Sequence, residues 1–152
     1  MTREIKFRGK RIDTGEWVYG GICQSPDATF IVTFMEFQEP IDEGGQIVYI
    51  PELNKVNHNT IGQASGVTDK EGKEIYEGDF IQCFHNYQKQ KYGAIEAVKF
   101  TNGAFWLPIW ETSLCKYLED FKKQVEVIGN VHDHHEVPYN QLVKTNQINT
   151  AA

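Results

Sequence analysis

At 152 residues, 40% hydrophobic and 24% charged, the chain is sized for one domain or two small ones sharing a core, with an ordinary globular composition. No apolar run approaches bilayer length, and Met1–Arg8 alternates charged and apolar residues unlike a signal peptide, so no membrane association and a cytoplasmic location are expected. The net charge of −6 argues against nucleic acid as the main partner, yet it is too mild for a nucleic-acid mimic.

In chain order, Arg3–Arg8 alternates Ile5 and Phe7 with Lys6 and Arg8, the pattern of a half-buried strand. Asp13-Thr14-Gly15 is a turn, and Glu16–Cys23 returns as the second strand of an antiparallel hairpin. Gly20-Gly21 marks a bulge or a close backbone approach. Thr29–Phe37, rich in β-branched and aromatic residues, is a third strand. Gln38–Gly45 is a polar loop. Gln46–Ile50 is a short strand ended by Pro51, and residues 51–59 are connection. A subdomain boundary is placed here: 1–57 is an N-terminal β subdomain, 58–137 a C-terminal one, and 138–152 a flexible tail.

Thr60–Cys83 is the organising stretch, reading strand, turn, strand, turn, strand. Asp69-Lys70-Glu71-Gly72 is the first turn, with Gly72 suited to positive φ. Tyr76-Glu77-Gly78-Asp79 is the second, with Asp79 placed to satisfy backbone donors before the strand Phe80–Phe84. Residues 85–93 form a polar hairpin loop, and Ala94–Phe100 is a strand. Asn102-Gly103 is a strong hairpin signal, leading into Ala104–Ile109. Glu111–Lys123 reads as a helix. Leu114, Tyr117, Leu118 and Phe121 share one face, and Thr112 or Ser113 can cap its start. Gln124–Val131 is the last strand, with Gly129 at a bulge.

Four groups of residues carry possible chemistry. His85, Tyr87, Lys89, Lys91 and Tyr92 mix aromatics and cations, as loops that stack bases and track phosphates do, but two lysines are few. His132, Asp133, His134, His135 and Glu136 are metal-ligand types. Consecutive residues on an extended chain alternate sides, however, and His58 or His85 would have to complete the sphere. They are read as a solvated strand end, and no metal or cofactor is expected. Asp69, Glu71, Glu74, Glu77 and Asp79 could form a nuclease-type carboxylate cluster, but the turns demand Asp and Gly for backbone reasons. Cys23, Cys83 and Cys115 are odd in number and lack CxxC spacing, so they are read as reduced thiols.

Arg3-Glu4-Ile5-Lys6-Phe7-Arg8-Gly9, Thr60-Ile61-Gly62-Gln63, the run Asp69–Asp79 and the ending Val127-Ile128-Gly129-Asn130-Val131 together resemble the YopX-like family of phage and prophage proteins. Ala64 departs from the aromatic common at its position in that family. The resemblance implies a phage or prophage origin, hence the cytoplasm of a bacterial host. It also implies an all-β fold whose C-terminal half is similar to an SH3-type barrel. With the strand reading, this gives an all-β protein with one short helix and an N-terminal β-hairpin or sheet packed on the barrel. The family implies no activity. The expected function is a non-enzymatic accessory protein acting through an unidentified protein partner, or by self-association as a homo-oligomer through an exposed strand edge. The alternatives are a nucleic-acid-binding module using residues 85–93 and a metal-dependent enzyme.

Overall fold

The computed structural model describes residues 4–38, 45–87, 90–120, 125–136 and 141–144, with backbone alone at 84–87, 90–92, 120 and 141–144. The chain divides into two compact units, Met1–Gln63 and Ala64–Ala152.

The first unit is an antiparallel meander. It comprises β1 (Phe7–Lys10), β2 (Trp17–Gln24), β3 (Thr29–Gln38) and β4 (Ile47–Val56), each paired with the next. A 3₁₀ turn, His58–Thr60, leads into β5 (Gly62–Thr68), whose first residues pair with β1 through Phe7–Gln63 and Arg8–Gly62. Strand β1 begins later than the sequence suggests. The Arg8 guanidinium lies 4.8 Å from the Trp17 ring centre, so a cation covers the aromatic of the opposite strand.

At Gly20 the glycine pair proves to be a close approach without a bulge. A Cβ there would lie 2.1 Å from the Val32 carbonyl oxygen, while the registers on both sides run unbroken. The largest departure from expectation is β4. It runs straight through Pro51 to Val56, where Pro51 was expected to end a short strand. Among the described residues β4 is an outer strand of its row, and an outer strand can accommodate a residue without an N–H.

In the second unit the remainder of β5 pairs with β6 (Glu74–Tyr76) around the Asp69–Gly72 turn. Gly72 and Gly78 both hold positive φ, at 83° and 84°. Strand β7 (Asp79–Tyr87) forms a hairpin with β8 (Gln90–Ala97). Then come β9 (Lys99–Thr101), β10 (Ala104–Leu107) and β11 (Thr112–Ser113). Asn102 and Gly103 make the left-handed turn between β9 and β10 that their sequence demands. Among the described residues helix α1 covers Leu114–Asp120 and starts later than the expected Glu111, because Pro108–Glu111 is a turn and 112–113 a strand; the expected end at 121–123 lies outside the described residues. Its start is marked by Ser113 Oγ accepting from the Lys116 N–H, and Leu114, Tyr117 and Leu118 are buried as the periodicity requires.

Strand β12 (Val125–Asn130) pairs with β7, with the expected register shift between Val127 and Gly129. The tail contributes β13 (Gln141–Lys144), paired with β8, where a frayed end was expected. The strands follow open orders, β12–β7–β8–β13 and β11–β10–β9, and the described residues close no barrel. The fold is mostly β with one short helix, but the SH3-type closure is not seen. Ile75, Ile81, Cys83, Val98, Leu107, Leu114, Tyr117 and Val125 form the core of this unit.

Candidate interaction surface

β2 pairs with β3 only at Thr29–Val32. Beyond Val32, β3 and β4 continue together for six more registered pairs, from Thr33–Glu52 to Gln38–Ile47. The result is a two-stranded arm. Its base is sealed by a polar belt. The Asn54 side-chain amide donates to the Ile31 carbonyl at 3.3 Å and to Thr33 Oγ1 at 3.0 Å, and Thr33 reaches Glu52 at 3.4 Å. On the body side of that belt Ile31 and Val56 are buried.

Beyond the belt the apolar pattern resumes, this time in solvent. Directly opposed residues of an antiparallel pair share a face. One face of the arm therefore carries Met35, Ile50, Phe37 and Val48, and the other carries Phe34, Tyr49, Ile47 and, nearer the base, Leu53. These eight side chains are between 37% (Val48) and 63% (Phe34) exposed. An apolar stripe set off from the core by a hydrogen-bonded belt is a second surface, distinct from an overhang of the first. Its charge is one-sided. Residues 33–53 contain Glu36, Glu39, Asp42, Glu43 and Glu52 and no Lys, Arg or His.

Strand periodicity was visible at β3, but the arm itself was missed. Pro51 seemed to end β4, so Ile47–Ile50 looked like a short piece of core. The usable signal was residue composition, since apolar residues fall at both odd and even positions from 34 to 37 and from 47 to 50.

The second unit holds a buried polar group that sequence reasoning also missed. Glu96 has no exposed surface. Its Oε2 accepts from the Ile109 N–H at 2.6 Å, and Oε1 has no hydrogen-bond partner among the described residues. Burial raises its pKa to about 7, against the opposing pull of the Ile109 and Trp110 N–H groups. Burial likewise pushes the Cys83 thiol and the Tyr117 phenol up, with the charge of Glu96 adding to both. Tyr117 packs on Trp110 with ring centres 5.8 Å apart. This cluster is a polar seam in a packed core.

The other predicted groups have structural assignments. Asp69 Oδ1 accepts from the N–H groups of Glu71 and Lys73, and Oδ2 from Val127, while Asp79 Oδ2 accepts from Tyr76. These carboxylates hold turns, as the sequence suggested. The 132–136 run is a turn, which corrects its reading as an extended strand end. Asn130 Oδ1 accepts from the His132 and Asp133 N–H groups, and His134 Nδ1 accepts from the Asn130 N–H. No group of three His, Cys, Asp or Glu among the described residues is placed to hold a metal ion. Of the 85–93 candidates, Lys89 lies outside the described residues, as do the side chains of His85, Tyr87, Lys91 and Tyr92. The backbone runs as ladder to Tyr87–Gln90, with His85 opposite Tyr92 and Asn86 opposite Lys91. The expected nine-residue loop is therefore mostly strand.

The family model described as YopX protein matches residues 6–137. Among solved structures, the crystal structure of protein EF1440 from Enterococcus faecalis is similar, with a TM-score of 0.58 and 21% identity over 89% of this chain and 98% of that one. That likeness is one of fold. No curated protein matches the chain. No helix among the described residues is long and apolar enough to cross a membrane.

Proposed function

The chain belongs to the YopX family, and from that premise we propose that it is a non-enzymatic phage accessory protein that works by holding a protein partner on the β3–β4 arm. The observation that carries this is the pair of exposed apolar faces beyond the Asn54–Thr33 belt. A patch of this kind on a soluble protein marks an interaction site. Asp69 and Asp79, two of the carboxylates that could have supported catalysis, serve backbone donors instead, which favours a binding role. The one-sided charge of residues 33–53 suits a protein and repels phosphate.

The test is affinity capture of the tagged chain from phage-induced bacterial cells, with protein and nucleic acid both identified. Proteins held by the parent and lost from Phe34→Glu/Ile50→Glu are expected. Recovery of nucleic acid alone, unaffected by those substitutions, overturns the reading in favour of the 85–93 alternative.

A further inference from the structure

We propose that the Glu96 carboxyl is a proton-operated latch on the Pro108–Glu111 turn: neutral, it holds the turn against the core of the second unit, and ionised, it lets the turn lift while the rest of that unit stays folded. The turn is a loop between fixed ends, because Leu107–Thr112 and Trp106–Ser113 are ladder pairs on its two sides. Within it the backbone is held weakly. The Glu111 N–H reaches the Pro108 carbonyl only at 3.4 Å. Glu111 itself sits at φ 46°, a left-handed conformation that is costly for a residue with a side chain. Pro108, Ile109 and Trp110 are half-buried and Glu111 is exposed, so water lies just outside. The turn is pinned by the 2.6 Å hydrogen bond from the Ile109 N–H to Glu96 Oε2, together with the Trp110 ring on Tyr117.

That pin depends on a proton. Glu96 has no exposed surface, and its Oε1 has no hydrogen-bond partner among the described residues. A neutral carboxyl tolerates such a site, whereas an ionised one must be paired or hydrated. The groups facing it supply no counter-charge. Ile81 stands opposite Glu96 on β7, and Cys83 follows two residues along the same face. The Tyr117 phenol comes from α1, and burial keeps both that phenol and the Cys83 thiol uncharged. Of β13, the other neighbour of β8, only the backbone is described. The turn offers the N–H groups of Ile109 and Trp110, and no cation among the described residues contributes. Strands and a helix hold the other sides of the carboxyl. Lifting the turn is therefore the least disruptive way to bring water to it.

Amide hydrogen exchange of the full chain, followed by mass spectrometry over a pH series and corrected for the intrinsic exchange rate, is the deciding experiment. The carboxyl titrates near 4.5 once solvated and at about 7 in the closed turn, so opening should become about tenfold easier per pH unit between those values and level off above them. Protection of residues 109–113 should fall accordingly, while that of β7 and β12 holds. Glu96→Gln keeps an acceptor for the Ile109 N–H and should abolish the pH dependence. Glu111→Gly, at an exposed position, relieves the left-handed strain. It should raise protection of the turn at every pH and leave the slope unchanged. A parent chain whose 109–113 protection does not vary with pH overturns the latch, even if Glu96→Gln fails to fold. A loss shared equally by β7 and β12 overturns it too, since the whole unit would then be opening. So does a slope that persists in folded Glu96→Gln.

Discussion

Asp69 Oδ2 accepts a hydrogen bond from the backbone N–H of Val127 at 3.0 Å, across 58 residues of sequence. Its other oxygen accepts from Glu71 and Lys73, each at 2.9 Å. One carboxylate thus closes the β5–β6 turn and ties that turn to β12. Burial alone would raise its pKa, but the three N–H donors outweigh burial and hold it below the usual carboxylate value. The stabilisation is present above the unfolded pKa and is lost as pH falls through the depressed folded one. Asp69→Ala should cost about 3 kcal/mol, from three part-buried donors left without their acceptor. Asp79→Ala should cost about 1–2 kcal/mol. Urea unfolding of both variants checks the order, and a larger loss at Asp79 would contradict the bridging role of Asp69.

Glu96 gives the opposite pH dependence. An unfolded Glu titrates near 4.5, and this one near 7 when folded. The folded state therefore holds the proton more tightly. The stability it confers is complete below 4.5 and declines as pH rises through about 7. Glu96→Gln keeps an acceptor for the Ile109 N–H and cannot ionise. The variant should show a flatter profile over that window and exceed the parent above it by about 1–3 kcal/mol. Denaturation midpoints across the window decide the matter; parallel profiles would mean that Glu96 does not titrate there.

The two glycines of β2 should respond oppositely to alanine. At Gly20 the added carbon meets the Val32 carbonyl at 2.1 Å, so β2 and β3 must separate. A loss of about 3 kcal/mol, or failure to fold, is expected. At Gly21 the nearest atom is the Val32 Cβ at 3.9 Å, an ordinary contact. Gly21→Ala should be neutral or stabilise by about 0.4–1 kcal/mol through a less free unfolded chain. Thermal unfolding of the pair tests this, since equal effects would place the close approach elsewhere.

Thiol chemistry should separate the three cysteines. Cys23 and Cys115 are exposed, and Cys83 is buried with its thiol pushed up by its surroundings. A colorimetric disulfide reagent should label two thiols in the native protein and the third only in denaturant. Rapid labelling of all three would mean that the core of the second unit opens readily.

Legibility in the sequence followed how local the cause was. The turns at Gly72, Gly78 and Asn102-Gly103 were readable because positive φ is a demand on single residues. The buried face of α1 was readable because Leu114, Tyr117 and Leu118 keep helical spacing. Its start was not, because Glu96 draws the 109–110 backbone into a turn from another strand. Strand β13 was hidden because Leu142-Val143 is too short an apolar run in a polar tail to advertise its pairing with β8. For the arm, the strand character of Thr29–Phe37 was evident, but exposure was not. Whether Phe34 is core or surface depends on where β2 stops, which no residue near Phe34 records.

Pro51 has a consequence for the solubility of the arm. Long apolar outer strands are templates for amyloid-type stacking, because their unpaired N–H groups recruit further backbone. Pro51, midway along β4 and opposite Phe34, contributes no N–H. Growth by endless strand addition is interrupted there, while the side-chain faces above and below stay open. The arm can adhere through its faces without offering an uninterrupted backbone edge to stacking strands.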